Sequence, residues 1–183
     1  MKKIILSVIL VAASFTTFAQ EQQEILFKNE LKINMSNLIG FKFFDLGYER
    51  ILNEESAIGV NLLFNIDTKD ASDNSGLDEY RTFSITPYYR HFFSNKYAQG
   101  FFVEAFTMLH SGKDEFNYDY QTDSYTSEGK YTDFAVGISA GGKWVSKRGF
   151  VAEIYLGIGR DLLNQSDIEV VGRGGVSIGY RFQ

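Results

Sequence analysis

Apolar and polar residues alternate along most of the chain, and the last ten residues show the pattern clearly. In GGVSIGYRFQ the two alternate sets are Val176, Ile178, Tyr180 and Phe182, and Gly175, Ser177, Gly179 and Arg181. Successive side chains of a β-strand point to opposite faces, so a period of two predicts a strand. A soluble sheet would bury the apolar set, whereas a membrane-spanning barrel would turn Arg181 inward and the apolar set towards lipid.

The alternation predicts eight strands, and helical periodicity is convincing nowhere. The strands span approximately Asn29–Asn37, Phe43–Leu52, Glu55–Ile66, Tyr80–Phe93, Gln99–His110, Tyr131–Ser146, Gly149–Asp161 and Val170–Phe182. Three tight turns, NEE, SNKYA and KRG, alternate with longer and mostly polar connections. Outer-membrane barrels have this asymmetry, with short periplasmic turns and long external loops. Residues 65–79 and 111–130 are then external loops.

One face of these strands is apolar, and the opposite face carries small, polar and charged residues. Seven of its charges lie near the short-turn end: Lys32, Glu49, Arg90, Glu104, Lys143, Glu153 and Arg181. Their signs alternate between neighbouring charged strands, except at the closing step from Arg181 to Lys32. Because a buried charge is costly unless it is paired, we interpret them as an interior network in which Glu104 pairs with Arg90 and Lys143. The other interpretation is solvated charges on the outside of a soluble sandwich.

The pattern therefore predicts an all-β fold, an eight-stranded antiparallel up-and-down transmembrane β-barrel over residues 29–183. Its apolar face would point outward, and its interior would be charged and glycine-rich. Aromatic residues of the apolar face gather near strand ends, as in the girdles of membrane barrels. The start, MKKIILSVILVAASFTTFAQ, has two lysines followed by an apolar run. This predicts a signal peptide over 1–19, cleaved near Ala19, and a short periplasmic lead over 20–28.

Composition narrows the functional classes. The chain contains no cysteine, which excludes disulfides, thiolate metal sites, a cysteine nucleophile and a lipoprotein anchor. Its formal net charge is −5, and an acidic exported chain is a poor candidate for binding nucleic acid. Nothing in the sequence suggests a cofactor. We predict no catalytic, cofactor-binding or metal-binding residues.

Several motifs resemble those of known membrane barrels. INMSNLIG, LGYERIL, YYRHFF, GFFVEA, GGKWVSKRGFVAEIYLGIGR and the terminal GYRF resemble a small outer-membrane β-barrel of the OmpA/OmpX-like superfamily and, more narrowly, an uncharacterised Gram-negative family. The resemblance covers nearly all of the chain after the signal and implies location in the outer membrane. In that superfamily the last strand commonly ends in aromatic-x-aromatic, which the barrel-assembly machinery reads. The resemblance thus assigns Tyr180 and Phe182 as an assembly signal, although Gln183 and Ser177 depart from the usual pattern.

The interior of an eight-stranded barrel is just wide enough for side chains. Seven interior charges would close it, so we expect no general porin conductance. The chain would then be a non-enzymatic monomer surrounded by outer-membrane lipid, acting structurally or by binding and adhesion through external loops 65–79 and 111–130. The second loop combines acidic residues with tyrosines. Tyr118, Tyr120 and Tyr125 are candidate contacts with an unknown external ligand or surface, and the alternative is a solvated loop without a partner.

Two other functions remain open at this level. A soluble periplasmic carrier of an apolar ligand, similar to a lipocalin, would bury the apolar face and expose the charges. A lipid-modifying outer-membrane enzyme would need a histidine near a serine and an acid. The chain has two histidines, His91 and His110. His110 is followed by Ser111, but neighbours on a strand point to opposite faces and do not form a dyad.

Overall fold

The computed structural model describes residues 27–66, 81–113, 116–119, 124–127, 130–163 and 169–183, without the side chains of 113, 116–119, 124–127 and 130. The strands are β1 Asn29–Asn34, β2 Phe43–Ile51, β3 Ser56–Asn65, β4 Arg81–Phe92, β5 Gly100–Lys113, β6 Phe116–Asp119, β7 Ser124–Ser127, β8 Lys130–Val145, β9 Phe150–Asp161 and β10 Val170–Phe182. Helix α1 spans Met35–Gly40. No helix in this described part of the chain is long and apolar enough to cross a membrane.

Eight of the strands close into a barrel in the order β1, β10, β9, β8, β5, β4, β3, β2. Every pairing is antiparallel, and β1 closes on β10 with Glu30 opposite Arg181 and Ile33 opposite Ile178. Strands β6 and β7 form a separate two-stranded sheet. The predicted fold class, an all-β eight-stranded antiparallel up-and-down barrel, is confirmed.

The period of two along each strand separates the interior of the barrel from its outer surface. On β9 the buried residues include Val151, Glu153 and Tyr155, and the exposed ones include Ala152, Ile154, Leu156 and Ile158. Large interior rings fit because glycines lie under them on neighbouring strands. A Cβ atom at Gly137 would collide with the Phe106 ring, and one at Gly59 would collide with the Tyr88 ring. The predicted outward apolar face and charged, glycine-rich interior are confirmed.

The first strand ends at Asn34, so the prediction that it continues to Asn37 is wrong. The side-chain oxygen of Asn34 caps α1 by accepting a hydrogen bond from the Asn37 N–H at 3.1 Å. Its amide nitrogen donates to the Gly174 carbonyl at 3.0 Å. The Ser36 hydroxyl accepts from the Val176 N–H at 2.9 Å. Side chains thus replace backbone hydrogen bonds that a longer β1 would have made to β10.

The connection between β5 and β8 also differs from the prediction. Strand β5 continues to Lys113, beyond the predicted end at His110, and β6 pairs with β7 inside the segment predicted as a loop over 111–130. An antiparallel extension of this kind satisfies backbone groups locally. The predicted signal peptide, residues 20–26 of the lead and residues 67–79 of the other loop lie outside the described residues.

Candidate functional site

Charged side chains fill the half of the interior nearest the short turns. The structure places there, each 4% exposed or less, the seven charges singled out from the sequence: Lys32, Glu49, Arg90, Glu104, Lys143, Glu153 and Arg181. Each barrel strand except β3 contributes one of them. Two further charges join them, Glu30 and Arg173. We call these nine residues the turn-end network.

Two cations and two carboxylates form the centre of the turn-end network. Lys32 Nζ lies 2.8 Å from Glu49 Oε2 and 2.9 Å from Glu153 Oε2. Arg90 Nη1 lies 2.9 and 2.8 Å from the same two oxygens. The Tyr88 hydroxyl donates to Glu49 at 3.0 Å. Each carboxylate is therefore shared by two cations, which offsets the cost of removing all four charges from water.

Of the two partners predicted for Glu104, the structure confirms Arg90. Arg90 Nη2 and the Ser139 hydroxyl donate to its two oxygens at 2.8 and 2.7 Å, and Arg173 donates to it from β10. The predicted contact between Glu104 and Lys143 is wrong. The strand register places Glu104 opposite Ser139, four residues away from Lys143 along β8.

Lys143 instead binds Glu49 and Glu30, the latter at 2.8 Å. Glu30 also accepts from Arg181 at 2.6 Å, so it separates Arg181 from Lys32 at the closing seam. The sequence prediction missed Glu30, although its position two residues before Lys32 places both on the same face of β1. The seam is thus closed by an opposite-charge pair on facing residues.

Aromatic rings cover the cations of the turn-end network. The Arg90 guanidinium lies 3.8 Å from the centroid of the Phe102 ring. Arg173 lies 5.0 Å from the centroid of Tyr88 and 5.1 Å from that of Tyr155. Cation–π contacts of this kind are stronger where water is excluded. They fill the space between the ion pairs, so the described interior at this level is packed with side chains.

The turn between β4 and β5 closes the barrel at the short-turn end. Arg181 Nη2 donates to the Ala98 carbonyl at 2.7 Å, and the Ala98 N–H donates to the Glu54 carbonyl at 2.7 Å. Ala98 is fully buried in an apolar cluster with Ile51, Ala57, Phe92, Phe102 and Tyr155. Apart from Tyr155, these residues lie in the short turns or at the strand ends beside them, and they separate the charged side chains from the surrounding water.

A smaller polar group lies above the network, towards the long connections. Asp45 accepts hydrogen bonds from the side-chain amides of Asn34, Asn37 and Asn61 at 3.1, 2.8 and 3.1 Å. Asn34 also donates to the Tyr155 hydroxyl at 3.3 Å. Asp45 is thus held by neutral donors, and one of them, Asn61, also accepts a hydrogen bond from Arg173 at 3.1 Å.

The last polar group lies at the loop end of the interior. His110 Nε2 lies 2.8 Å from Asp161 Oδ1, and the two side chains are 1% and 2% exposed. Arg81 Nη2 donates to the Gly172 carbonyl at 3.2 Å. The sequence argument considered His110 beside Ser111, and the structure pairs it with Asp161 instead. That partner lies 51 residues away, and local spacing gives no signal for it.

The candidate assembly and contact residues lie elsewhere. Tyr180 is 48% exposed on the outer surface, where its ring meets Phe150 edge-on, and Phe182 is half-buried on the same face. The register of the β6–β7 sheet places Tyr118 opposite Tyr125. Their side chains and the whole of Tyr120 lie outside the described residues. Tyr180 and Phe182 lie on the outer surface, on the side of the barrel wall opposite to the turn-end network.

Groups of three or more residues able to hold a metal ion are absent from the described residues. Each carboxylate of the turn-end network is already bonded to lysine or arginine side chains. A divalent cation would have to displace those partners. The chemistry of this interior is therefore that of paired charges holding strands together.

The family of the chain follows from comparison with known proteins. A family model described as "Protein of unknown function (DUF3575)" matches residues 5–176. The chain belongs to that family. The search of curated proteins found no match. A solved structure of the Yersinia pestis outer membrane protein Ail in a phospholipid bilayer nanodisc is similar with 16% identity and a TM-score of 0.40, covering 85% of this chain and 99% of that one.

Proposed function

We propose that the protein is a non-enzymatic integral barrel of the outer membrane of a Gram-negative bacterium. The observation that carries the proposal is the inversion of the usual distribution of side chains, with charges inside and apolar residues outside. Leu156, Ile138 and Phe150 on the outer surface are 79%, 64% and 63% exposed. An apolar surface that encircles the molecule is unfavourable in water. In lipid it is favourable, because a closed barrel satisfies the hydrogen bonds of its own backbone.

The same distribution argues against a lipocalin-like carrier. Such a carrier needs an apolar cavity for its ligand, whereas the described interior holds the turn-end network and its covering rings. The proposal includes a signal peptide over 1–19, a periplasmic lead over 20–28, a monomeric barrel surrounded by outer-membrane lipid, and Tyr180 and Phe182 presented to the barrel-assembly machinery. Nucleic acid and cofactors have no part in it.

Cell fractionation followed by electrophoresis with and without boiling tests the proposal. We expect the protein in the outer-membrane fraction, with a faster-moving unboiled band that reports a detergent-resistant barrel. Recovery in the soluble periplasmic fraction without detergent would contradict it. Because the described interior is packed, we also expect no general porin conductance in planar lipid bilayers. Large, regular conductance steps would contradict the closed interior.

We further propose that the protein acts structurally or by contacts through its external segments 65–79 and 111–130. The support is the β6–β7 extension, which carries Tyr118 and Tyr125 at facing positions, and the acidic composition of 111–130. An acidic surface favours association with a cationic one. Intact cells carrying the protein should be retained on a polylysine-coated surface more than cells without it. Asp119→Asn/Asp123→Asn should weaken retention because it removes acidic charge from this segment, whereas Tyr89→Ala on the barrel wall should not.

An enzymatic role has weaker support. His110 is buried and bonded to Asp161, so substrate would have to enter the packed interior to reach it. Outer-membrane lipid incubated with the purified barrel should therefore keep its mass spectrum. A changed acyl composition that is lost in His110→Ala would establish the enzyme instead.

A further inference from the structure

The contact between His110 and Asp161 joins two strands that are not neighbours. Strand β8 lies between β5 and β9, so the 2.8 Å bond from Nε2 to Oδ1 crosses the interior. His110 is close to the end of β5 at Lys113, and Asp161 is the last residue of β9. The contact therefore ties together the bases of two connections, the one that carries β6 and β7 and the one that leads to β10.

The contact leaves two buried polar atoms unpaired. His110 Nδ1 and Asp161 Oδ2 have no hydrogen-bond partner within the part of the chain that the structure describes. A hydrogen bond in which both partners are ions is stronger than one in which only the carboxylate is charged, because the two charges attract each other where water is excluded. Protonation of a neutral His110 ring would convert the contact into such a charged bond. Histidine is the side chain that ordinarily changes charge between pH 5 and 8.

Acidic and aromatic side chains lie near His110 on β8 and β9. On β8, Asp133 is opposite His110 in the register and fully buried. The Tyr131 ring, also on β8, meets the imidazole edge-on at 5.7 Å between centroids. On β9 the facing group is Asp161.

Strand β4, on the other side of β5, contributes one cation to the surroundings of His110. On β4 the residue opposite His110 is the neutral Ser84, and Arg81 interacts electrostatically with Asp161. With His110 neutral, the described groups at this level carry two negative charges and one positive charge. A proton on His110 balances them. Two further charged residues lie closer to the turn end than His110. Asp45 accepts a hydrogen bond from Asn61, and Arg173 donates one to Glu104.

We infer that His110 and Asp161 form a proton-dependent clamp that holds the loop ends of β5 and β9 together more firmly at pH 5 than at pH 8. The clamp rests on contacts inside the barrel. Its consequence for external contacts rests on the proposed function, because β5 leads into the segment that carries β6 and β7. Acidification would thus fix the base of the segment proposed to contact an external surface.

The chain offers a direct test because it contains two histidines, of which His91 is half-buried at the short-turn end. The full-length mature barrel in lipid nanodiscs, labelled at histidine, should show the His110 ring signals titrating between pH 5 and 8.5. Amide protection factors, corrected for the intrinsic pH dependence of exchange, should be about fivefold higher at pH 5 than at pH 8 for residues 108–112 and 157–161. Residues 100–104 should show no such change.

Asp161→Asn and His110→Gln should abolish the pH dependence of protection, whereas His91→Gln should preserve it. His110 signals that stay constant over this range would overturn the clamp, and so would an unchanged pH dependence in Asp161→Asn. If His110→Gln does not give a heat-modifiable band, the titration of the wild-type ring and the Asp161→Asn variant decide the question. These readouts do not use surface retention, so failure of the clamp is distinguishable from failure of the proposed function.

Discussion

The two ends of the barrel interior hold buried charge in different ways. At the turn end every carboxylate of the network contacts at least two cations. At the loop end His110 and Asp161 share one hydrogen bond and each keeps an unpaired atom. A network with several partners per charge has no single proton on which it depends. A pair held by one bond can depend on a single proton. The turn end is therefore suited to permanent closure of the barrel, and the loop end to a response to pH.

The largest loss of stability is expected from Arg90→Met, which removes the cation shared by Glu49, Glu104 and Glu153. Breaking a buried ion network by removing one partner costs about 3–5 kcal/mol. Urea unfolding in lipid vesicles should show a decrease of that order in the free energy of unfolding. Arg148→Ala in an exposed turn is the matched control and should change it by less than about 0.5 kcal/mol. Equal effects in the two variants would remove the distinction between network and surface.

A double-mutant cycle sharpens the assignment of partners within the turn end. Glu30→Gln and Lys143→Met should couple by about 1–3 kcal/mol, because the two side chains are in contact. Glu104→Gln and Lys143→Met should couple more weakly, because these two side chains belong to one network but are not in contact with each other. The measurement is again unfolding in vesicles. Stronger coupling in the second cycle than in the first would support the pairing of Glu104 with Lys143 that the charge pattern alone predicted.

A smaller effect is expected from Tyr88→Phe. The hydroxyl donates to Glu49, and the ring stays beside Arg90 and Arg173. Losing one hydrogen bond to a charged group should cost about 1.5–3 kcal/mol. The cost should be the same at pH 5 and pH 8, since the network keeps its cations. A cost confined to one of these pH values would mean that the turn end also responds to protons.

The smallest effect is expected from Asp133→Asn at the loop end. It removes one of two carboxylates near His110 and keeps the bond to Asp161, so the pH dependence of protection in residues 108–112 should be reduced but not lost. Amide exchange at pH 5 and pH 8 measures it. Asp45→Asn, one level below, should leave that pH dependence unchanged. Identical behaviour of the two variants would show that charge near the ring does not matter.

The sequence predicted the barrel well because alternation is a local signal. Six of the eight strand ends on the turn side border tight turns that are visible in the sequence, such as KRG between β8 and β9. The end of β1 was missed because it depends on Asn34, whose side chain reaches Gly174 and Tyr155 far along the chain. A six-residue helix is also too short to show a period.

The sequence indicates which side chains face the interior of the barrel, but it does not indicate which of them contact each other. The alternation of side chains along β2 and β10 indicates that Glu49 and Arg173 face inward. It does not tell which residues meet across the barrel, because those contacts depend on register and closure. Glu104 with Arg173 and His110 with Asp161 are 69 and 51 residues apart and lie on non-adjacent strands. Glu30 is the exception, since its register with Arg181 follows once β1 is known to pair with β10.

Because Arg181 points inward, the two faces of the last strand contact different parts of the surroundings. Its outward neighbours, Tyr180 and Phe182, are displayed to whatever surrounds the molecule. Arg181 itself donates hydrogen bonds to Glu30 on the first strand and to Ala98 in the turn between β4 and β5. We expect Arg181→Ala to be delivered to the membrane like the native chain and to arrest at the final joining of first strand to last. Transport of the chain to the membrane and closure of the barrel would then depend on residues on opposite faces of β10, so that a substitution could impair one step and not the other.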